Sequence, residues 1–230
     1  MRNKRITSAS ARRFRIGLAA AASALAVCVL PATALGATSN DTTQFQVTAG
    51  ALAFSTAPDV PDLNSVGLTG QSQTTNSQMA SYSIQDATGS GSGWNLTVAG
   101  NGPAGSAVFK QYCNSGSACN GGADAANSYV TGGATLPANS LTLNSTSAGI
   151  SALNGSTGSG PTHQCNSGCF VDAGSASKVL SAATSNGMGT WQANSYSASS
   201  LVLATPSTLK VLPTNEVYRV NLAWTLNSGP

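Results

Sequence analysis

Charged residues are scarce in this chain. Asp, Glu, Lys and Arg together make up 7% of its 230 residues, against about 25% in an average soluble domain. Only seven residues are acidic, so the chain lacks the Glu and Lys that coiled coils and helix bundles place at helical spacing. Aromatic residues are also few, at 6%. This composition excludes a helix bundle; what is abundant instead is Ser, Thr, Asn and Gly, with 25 glycines.

A basic surface is also missing, although the formal net charge is +3. Six of the ten basic residues lie in the first fifteen positions: Arg2, Lys4, Arg5, Arg12, Arg13 and Arg15. From residue 37 onward, four basic residues against seven acidic ones leave a net charge of −3. Proteins that bind nucleic acid need a basic face. The sequence therefore predicts no nucleic-acid partner.

Residues that carry catalysis are nearly absent. His163 is the single histidine, and a general base also needs an orienting partner and a nucleophile. Asp59 and Asp62 lie close together, but the neighbouring prolines favour an extended loop with turn-forming aspartates. No G-x-S-x-G, H-E-x-x-H or phosphate-loop motif occurs. We predict a protein that is not an enzyme and has no cofactor or metal; a glycan-cleaving enzyme using Asp59, Asp62 or Asp86 is the alternative.

The first 36 residues are typical of a secretory signal peptide. A basic run precedes an apolar stretch over residues 17–30, and small residues follow at Ala34 and Gly36. The apolar stretch is shorter than the roughly 20 residues of a membrane span. We predict cleavage after Gly36, with Ala34 as the second choice, which leaves an exported domain over residues 37–230 without a membrane span. Lipidation at Cys28 and twin-arginine export through Arg12-Arg13 fit the flanking residues less well.

Four cysteines remain after Cys28, and an even number in an exported chain predicts two disulfides. They are Cys113, Cys119, Cys165 and Cys169. Two of them begin the same turn-forming sequence, Cys-Asn-Ser-Gly. Four thiolates also suit zinc, but the usual C-x-x-C spacing is missing. Three pairings are open, of which the local one is the simplest.

Alternating apolar and polar residues predict strands throughout the exported domain. The clearest pattern places apolar residues at every second position near the C-terminus: Tyr218, Val220, Leu222, Trp224 and Leu226. Further strands are predicted at 45–47, 52–54, 80–84, 94–98, 108–112, 141–143, 178–182 and 209–212. Between about residues 100 and 189, Gly, Ser, Ala and Asn predict long loops. An all-β fold follows, an antiparallel β-sandwich with long Gly/Ser-rich loops or else a barrel.

A Trp-x-Leu motif occurs twice, each time on a predicted strand. The residues are Trp94 and Leu96 in one motif and Trp224 and Leu226 in the other. Both tryptophans lie in phase with the apolar positions of their strands, which favours a place in the core. The outward positions are then the candidate ligand-facing residues: Asn95, Thr97, Asn221 and Thr225. Trp191, in a Gly- and Ser-rich setting, is a further candidate for stacking on a sugar.

In these motifs the chain resembles the WxL cell-wall-binding domains of Gram-positive bacterial surface proteins. The resemblance includes the lead-in Thr48–Ser55, the block Gly91–Val98 and the C-terminal stretch Leu222–Pro230. It implies non-covalent attachment to the cell wall, with peptidoglycan or an associated polymer as ligand and other surface proteins as candidate partners. The cysteine-bearing loops between residues 100 and 190 depart from the family pattern.

The leading hypothesis is therefore an exported, non-enzymatic protein that binds the bacterial cell wall and is wall-associated or extracellular. A structural subunit of an extracellular coat or fibre is the alternative, because low charge and abundant Ser, Thr, Asn and Gly fit that role as well.

Overall fold

Strands dominate the part of the chain that the computed structural model describes, residues 41–101, 107–114 and 116–230. The predicted signal peptide, with its cleavage site and Cys28, lies outside the described residues. A short 3-10 turn at Asn120–Gly122 is the helical element found among the described residues. The fourteen strands that the described residues form are β1 Leu52–Thr56, β2 Gln73–Ser77, β3 Tyr82–Asp86, β4 Trp94–Gly100, β5 Lys110–Cys113, β6 Leu141–Leu143, β7 Gly149–Leu153, β8 Thr162–His163, β9 Cys169–Phe170, β10 Ser177–Ala182, β11 Gly189–Asn194, β12 Leu201–Thr205, β13 Glu216–Arg219 and β14 Leu222–Ser228.

These strands form three four-stranded sheets and one two-stranded ribbon. Sheet 1 has the order β1-β3-β11-β7, sheet 2 the order β14-β4-β10-β8, and sheet 3 the order β2-β12-β6-β9. The ribbon pairs β13 with β5. Every pair is antiparallel. This arrangement confirms the predicted all-β fold of packed antiparallel sheets.

One hydrophobic cluster within the unit Gln46–Pro230 draws side chains from all three four-stranded sheets. Sheet 1 contributes Tyr82 and Ile84, sheet 2 contributes Leu96 and Leu180, and sheet 3 contributes residues including Leu201. All five side chains are at most 2% exposed. At roughly 25 cal/mol for each Å² of apolar surface removed from water, this shared burial is the main stabilising contribution to the fold. The sheets therefore pack on a common core, as layers of a sandwich do.

The predicted C-terminal strand is in fact two strands. The alternation over Tyr218–Leu226 is interrupted between β13 and β14, which pair with β5 and β4 respectively. The backbone crosses from one partner to the other near Asn221, whose carbonyl accepts a hydrogen bond from the Asn101 amide at 2.7 Å. A period of two shows which face a residue occupies but not which strand it pairs with, so the pattern could not reveal the break.

Two other predicted strands are wrong. Residues 45–47 and 209–212 have no regular structure, because neither segment pairs with a strand among the described residues. Several strands were missed: β2, β7, β8, β9, β11 and β12. The first of these, Gln73–Ser77, is a run of polar residues, and such a run gives no apolar alternation to detect.

Both disulfides are local. Cys113 bonds to Cys119 and Cys165 to Cys169, with Cα–Cα distances of 5.8 and 5.1 Å, within the usual range for a disulfide. This confirms the disulfide interpretation and selects one of the three open pairings. The first disulfide forms a small cluster of its own with Val130, apart from the main core.

The described residues also contain no helix of the length and apolarity needed to cross a membrane.

Candidate functional site

The two Trp-x-Leu motifs lie side by side in sheet 2. One is at the start of β4 and the other is in β14, and these strands are antiparallel neighbours. Leu96 is directly opposite Leu226, and Trp224 is opposite Val98. Motifs separated by about half of the chain therefore form a single paired structure, whose two faces have different chemistry.

Trp94 is an anchor of the core. Its side chain is 0% exposed, and its Nε1 donates a hydrogen bond to the Gly187 carbonyl at 3.0 Å. Gly187 has a φ of +75°, and a Cβ there would lie 2.7 Å from Trp94 Nε1 and 2.4 Å from the Cβ of Ala182. The turn between β10 and β11 thus requires glycine for both its backbone angle and the close approach of the indole.

Trp224 is only partly buried. Its ring centroid lies 6.1 Å from that of Tyr82 in sheet 1, at an interplanar angle of 44°, a separation typical of interacting aromatic pairs. The Tyr82 side chain is 0% exposed. The second motif therefore joins sheet 2 to sheet 1 from an edge strand, with part of its indole still open to solvent.

The outer face of the same two strands is polar. Asn95 and Thr97 alternate with the buried side chains of β4, and Thr225 and Asn227 alternate with the partly buried side chains of β14. The register places Asn95 opposite Asn227 and Thr97 opposite Thr225. We call these four residues the polar strip. Cross-strand pairing therefore gathers two amides and two hydroxyls on one solvent-facing surface.

Hydrogen bonds hold the polar strip in place. Asn95 Nδ2 donates to the Gly229 carbonyl at 2.7 Å, and Asn227 Nδ2 donates to Asn95 Oδ1 at 3.3 Å. The exposed Lys178 of β10 is opposite Thr97 and places a positive charge beside the strip. The strip itself is uncharged, and its amides, held by these bonds, and its hydroxyls are suited to hydrogen bonding with a polar ligand.

A buried aromatic network lies behind this sheet. The Tyr196 hydroxyl donates to the Tyr82 hydroxyl at 3.3 Å, and the His163 ring lies edge-on to Tyr196 at 5.8 Å. Burial raises the pKa of Tyr196 to about 12 and raises the pKa of Tyr82 well above its usual value. Burial lowers the pKa of His163, opposed by a hydrogen bond to the Gly149 carbonyl. The described contacts of this imidazole include neither a carboxylate nor a nucleophile, so the network lacks the parts of a catalytic triad.

A family model described as "WxL domain surface cell wall-binding" matches residues 37–230. The chain belongs to the WxL family. Comparisons with curated proteins and with solved structures give no significant match. By this description the family is one of surface domains that bind the cell wall, and not a family of enzymes.

Two further candidate ligand-facing residues of the WxL domain are not part of the polar strip. Trp191 is on β11 of sheet 1, is 7% exposed, and donates from Nε1 to the Met188 carbonyl at 2.9 Å. Its ring packs so closely on Gly160 that a Cβ there would lie 2.6 Å away. An indole covered in this way does not suit an exposed stacking surface. Asn221 precedes β14 and is partly buried.

The carboxylates proposed for a glycan-cleaving WxL protein have different environments. Asp59 and Asp62 are exposed in a segment without regular structure. Asp86 is 5% exposed, and its Oδ1 accepts hydrogen bonds from the amide and hydroxyl of Thr88 at 3.0 and 2.6 Å. These bonds give Asp86 the role of a turn-stabilising residue at the end of β3.

Sequence reasoning missed part of this surface of the WxL domain. Asn227 shares the spacing of Thr225, so alternation alone could have identified it. Lys178 could not be found that way, because only the pairing of β10 with β4 brings it beside Thr97. A groove of about 510 Å³ at the end of sheet 3 was also unforeseen; it is lined by uncharged residues, including Gln73, Pro137 and Asn139.

Proposed function

We propose that this protein is exported, is retained at the cell wall without a covalent bond, and binds peptidoglycan through the polar strip. In this proposal residues 1–36 are the signal peptide and residues 37–230 the exported WxL domain. The observation that carries the proposal is the pairing of the two motifs. It fixes their apolar side chains on the inner side and leaves Asn95, Thr97, Thr225 and Asn227 together on the outer side.

The chemistry of the polar strip supports a glycan or peptide as ligand. Each amide offers both donors and an acceptor, and each hydroxyl can donate or accept. The hydroxyl and amide groups of peptidoglycan are complementary to such a surface. Each such hydrogen bond contributes modestly, about 1 kcal/mol, so retention would depend on several simultaneous contacts.

Charge favours peptidoglycan over an anionic accessory polymer. The residues from 37 onward carry four basic and seven acidic side chains, a net charge of −3. A polymer rich in phosphate would be repelled by this net charge, and Lys178 alone would provide little compensation near the strip.

Sedimentation with purified sacculi tests the proposal. The exported domain should sediment in a saturable way with sacculi from which accessory polymers have been removed. Removing two side chains of the strip, in a Thr225→Ala/Asn227→Ala variant, should weaken binding roughly tenfold, as expected for the loss of one to two hydrogen bonds.

The matched control is Thr135→Ala/Asn76→Ala, which changes the same residue types at exposed positions away from sheet 2. This control should bind like the unaltered protein. Equal binding by both variants would rule out the strip as the contact surface. Binding that requires the accessory polymers would identify a different ligand.

A further inference from the structure

We propose that residues 41–49 of one copy, here called the arm, add as a further strand to the open edge of β14 in a second copy. This inference concerns self-association and is independent of the proposed wall ligand. It rests on three observations, which concern the arm, the backbone edge of β14 and the side chains along that edge.

The arm has the sequence of a strand but no sheet to join. Its residues alternate, with Thr43, Phe45 and Val47 separated by Gln44 and Gln46, a period of two that indicates a half-buried strand. In the structure this segment has no regular secondary structure. Phe45 is 90% exposed and Val47 is 76% exposed. Two large apolar side chains at strand spacing are therefore left in solvent.

The backbone of β14 has an open edge. The Gly229 amide donates to the Gly93 carbonyl, and the Asn221 carbonyl accepts from the Asn101 amide. The backbone N–H and C=O groups of the odd-numbered residues of β14 therefore point toward β4. Because successive residues of a strand point their backbone groups to opposite sides, those of Leu222, Trp224 and Leu226 point away from β4. Among the described residues, no strand forms backbone hydrogen bonds with that side, although β1 of sheet 1 comes near β14.

The side chains along this edge lack a complete cover. Leu222, Trp224 and Leu226 pack against the main cluster but are only partly buried. Directly opposed residues of an antiparallel pair project to the same face. An antiparallel arm whose Phe45 and Val47 lie opposite these residues would shield them from water. The arm, with nine residues, is long enough to pair along all seven residues of β14.

A second copy is the occupant that these observations favour. The arm and the edge are both present in every chain, and in the single chain the arm's apolar side chains are exposed. The arm carries one charge, at Asp41, so little repulsion opposes its addition to a neutral edge. A contact between an arm and a different surface is heterologous, so repeated addition gives open-ended filaments, whereas reciprocal exchange gives a closed dimer.

Light scattering across a concentration series tests this proposal on the exported domain, residues 37–230. The average mass should rise with concentration. A Phe45→Ser/Val47→Ser variant should remain monomeric, whereas the matched control Gln44→Ser/Gln46→Ser, which changes the other face of the arm, should associate like the unaltered protein. A constant monomer mass for the unaltered protein, or equal association by both variants, would overturn the proposal.

Amide hydrogen exchange distinguishes strand addition from non-specific adhesion of apolar side chains. The amides of Leu222, Trp224 and Leu226 should exchange roughly tenfold more slowly, or more, in the associated state than in the monomer. The exchange rates of the Ala223, Thr225 and Asn227 amides, which already point toward β4, should change little. Slowing of both sets to the same extent, or of neither, would contradict a strand added at this edge.

Discussion

The two motif tryptophans are buried to different extents, although each is the first residue of a Trp-x-Leu motif. Trp94 is fully buried and its indole N–H is hydrogen-bonded, whereas Trp224 is partly exposed on an edge strand. Their spacing along the strands predicted inward positions for both. The extent of burial depends on the second neighbouring strand, because β4 is flanked on both sides and β14 on one. That difference is a property of the sheet order and is absent from the motif itself.

Truncating each tryptophan should therefore have different effects on stability. Trp94→Ala should lower the free energy of unfolding by about 3–5 kcal/mol, the range for large buried aromatic residues. Trp224→Ala should cost roughly half as much, because less of its apolar surface is removed from water on folding. Urea denaturation monitored by circular dichroism measures both. Equal losses would mean that Trp224 is covered as completely as Trp94, for example by an added strand.

The turn between β10 and β11 depends on one glycine. Gly187 combines a positive φ with close contacts to Ala182 and Trp94, whereas Gly89 has a similar φ of +66° and no atom within 4 Å of the point where a Cβ would lie. Gly89→Ala should cost about 1 kcal/mol, the strain of a left-handed backbone. Gly187→Ala should cost about 3 kcal/mol or more, because overpacking adds to the strain.

Thermal unfolding of the two glycine variants separates these contributions. The Gly89→Ala protein provides the backbone effect alone, so the difference between the variants measures the close approach to Trp94. If both variants lost the same stability, the contact between the turn and the indole would be unimportant.

The strands that sequence could predict are those with apolar residues on one face. β4 and β6 were anticipated nearly to their ends, because buried apolar residues alternate with polar residues in them. β10 was anticipated as well, although its consecutive residues Val179 and Leu180 are both buried where the pairing with β4 shifts register. The polar β2 and the two-residue β8 and β9 could not be anticipated, because only their pairing with neighbouring strands makes them strands. The outward positions Asn95, Thr97 and Thr225 follow from alternation, but their assembly into one strip required the register between β4 and β14.

A single histidine connects the stability of the entire fold to pH near neutrality. His163 is partly buried, its Nδ1 has no hydrogen-bond partner among the described residues, and burial lowers its pKa below the usual value of 6.5. The neutral imidazole is therefore favoured in the folded state, and the unfolded chain binds a proton more readily. Stability should be constant above the unfolded pKa, fall as the pH drops through it, and level off below the folded pKa.

Replacing this histidine should remove that dependence. The melting temperature of the unaltered domain should decrease between about pH 7 and pH 5, the range in which an unperturbed imidazole of pKa about 6.5 becomes protonated. His163→Gln cannot titrate, so its melting temperature should stay nearly constant over the same range, even if it is lower throughout. The carboxyl of Asp172, whose pKa burial raises, acts in the opposite direction, because the folded state then binds the proton more readily. A decrease of equal size in the His163→Gln protein would assign the effect to other groups.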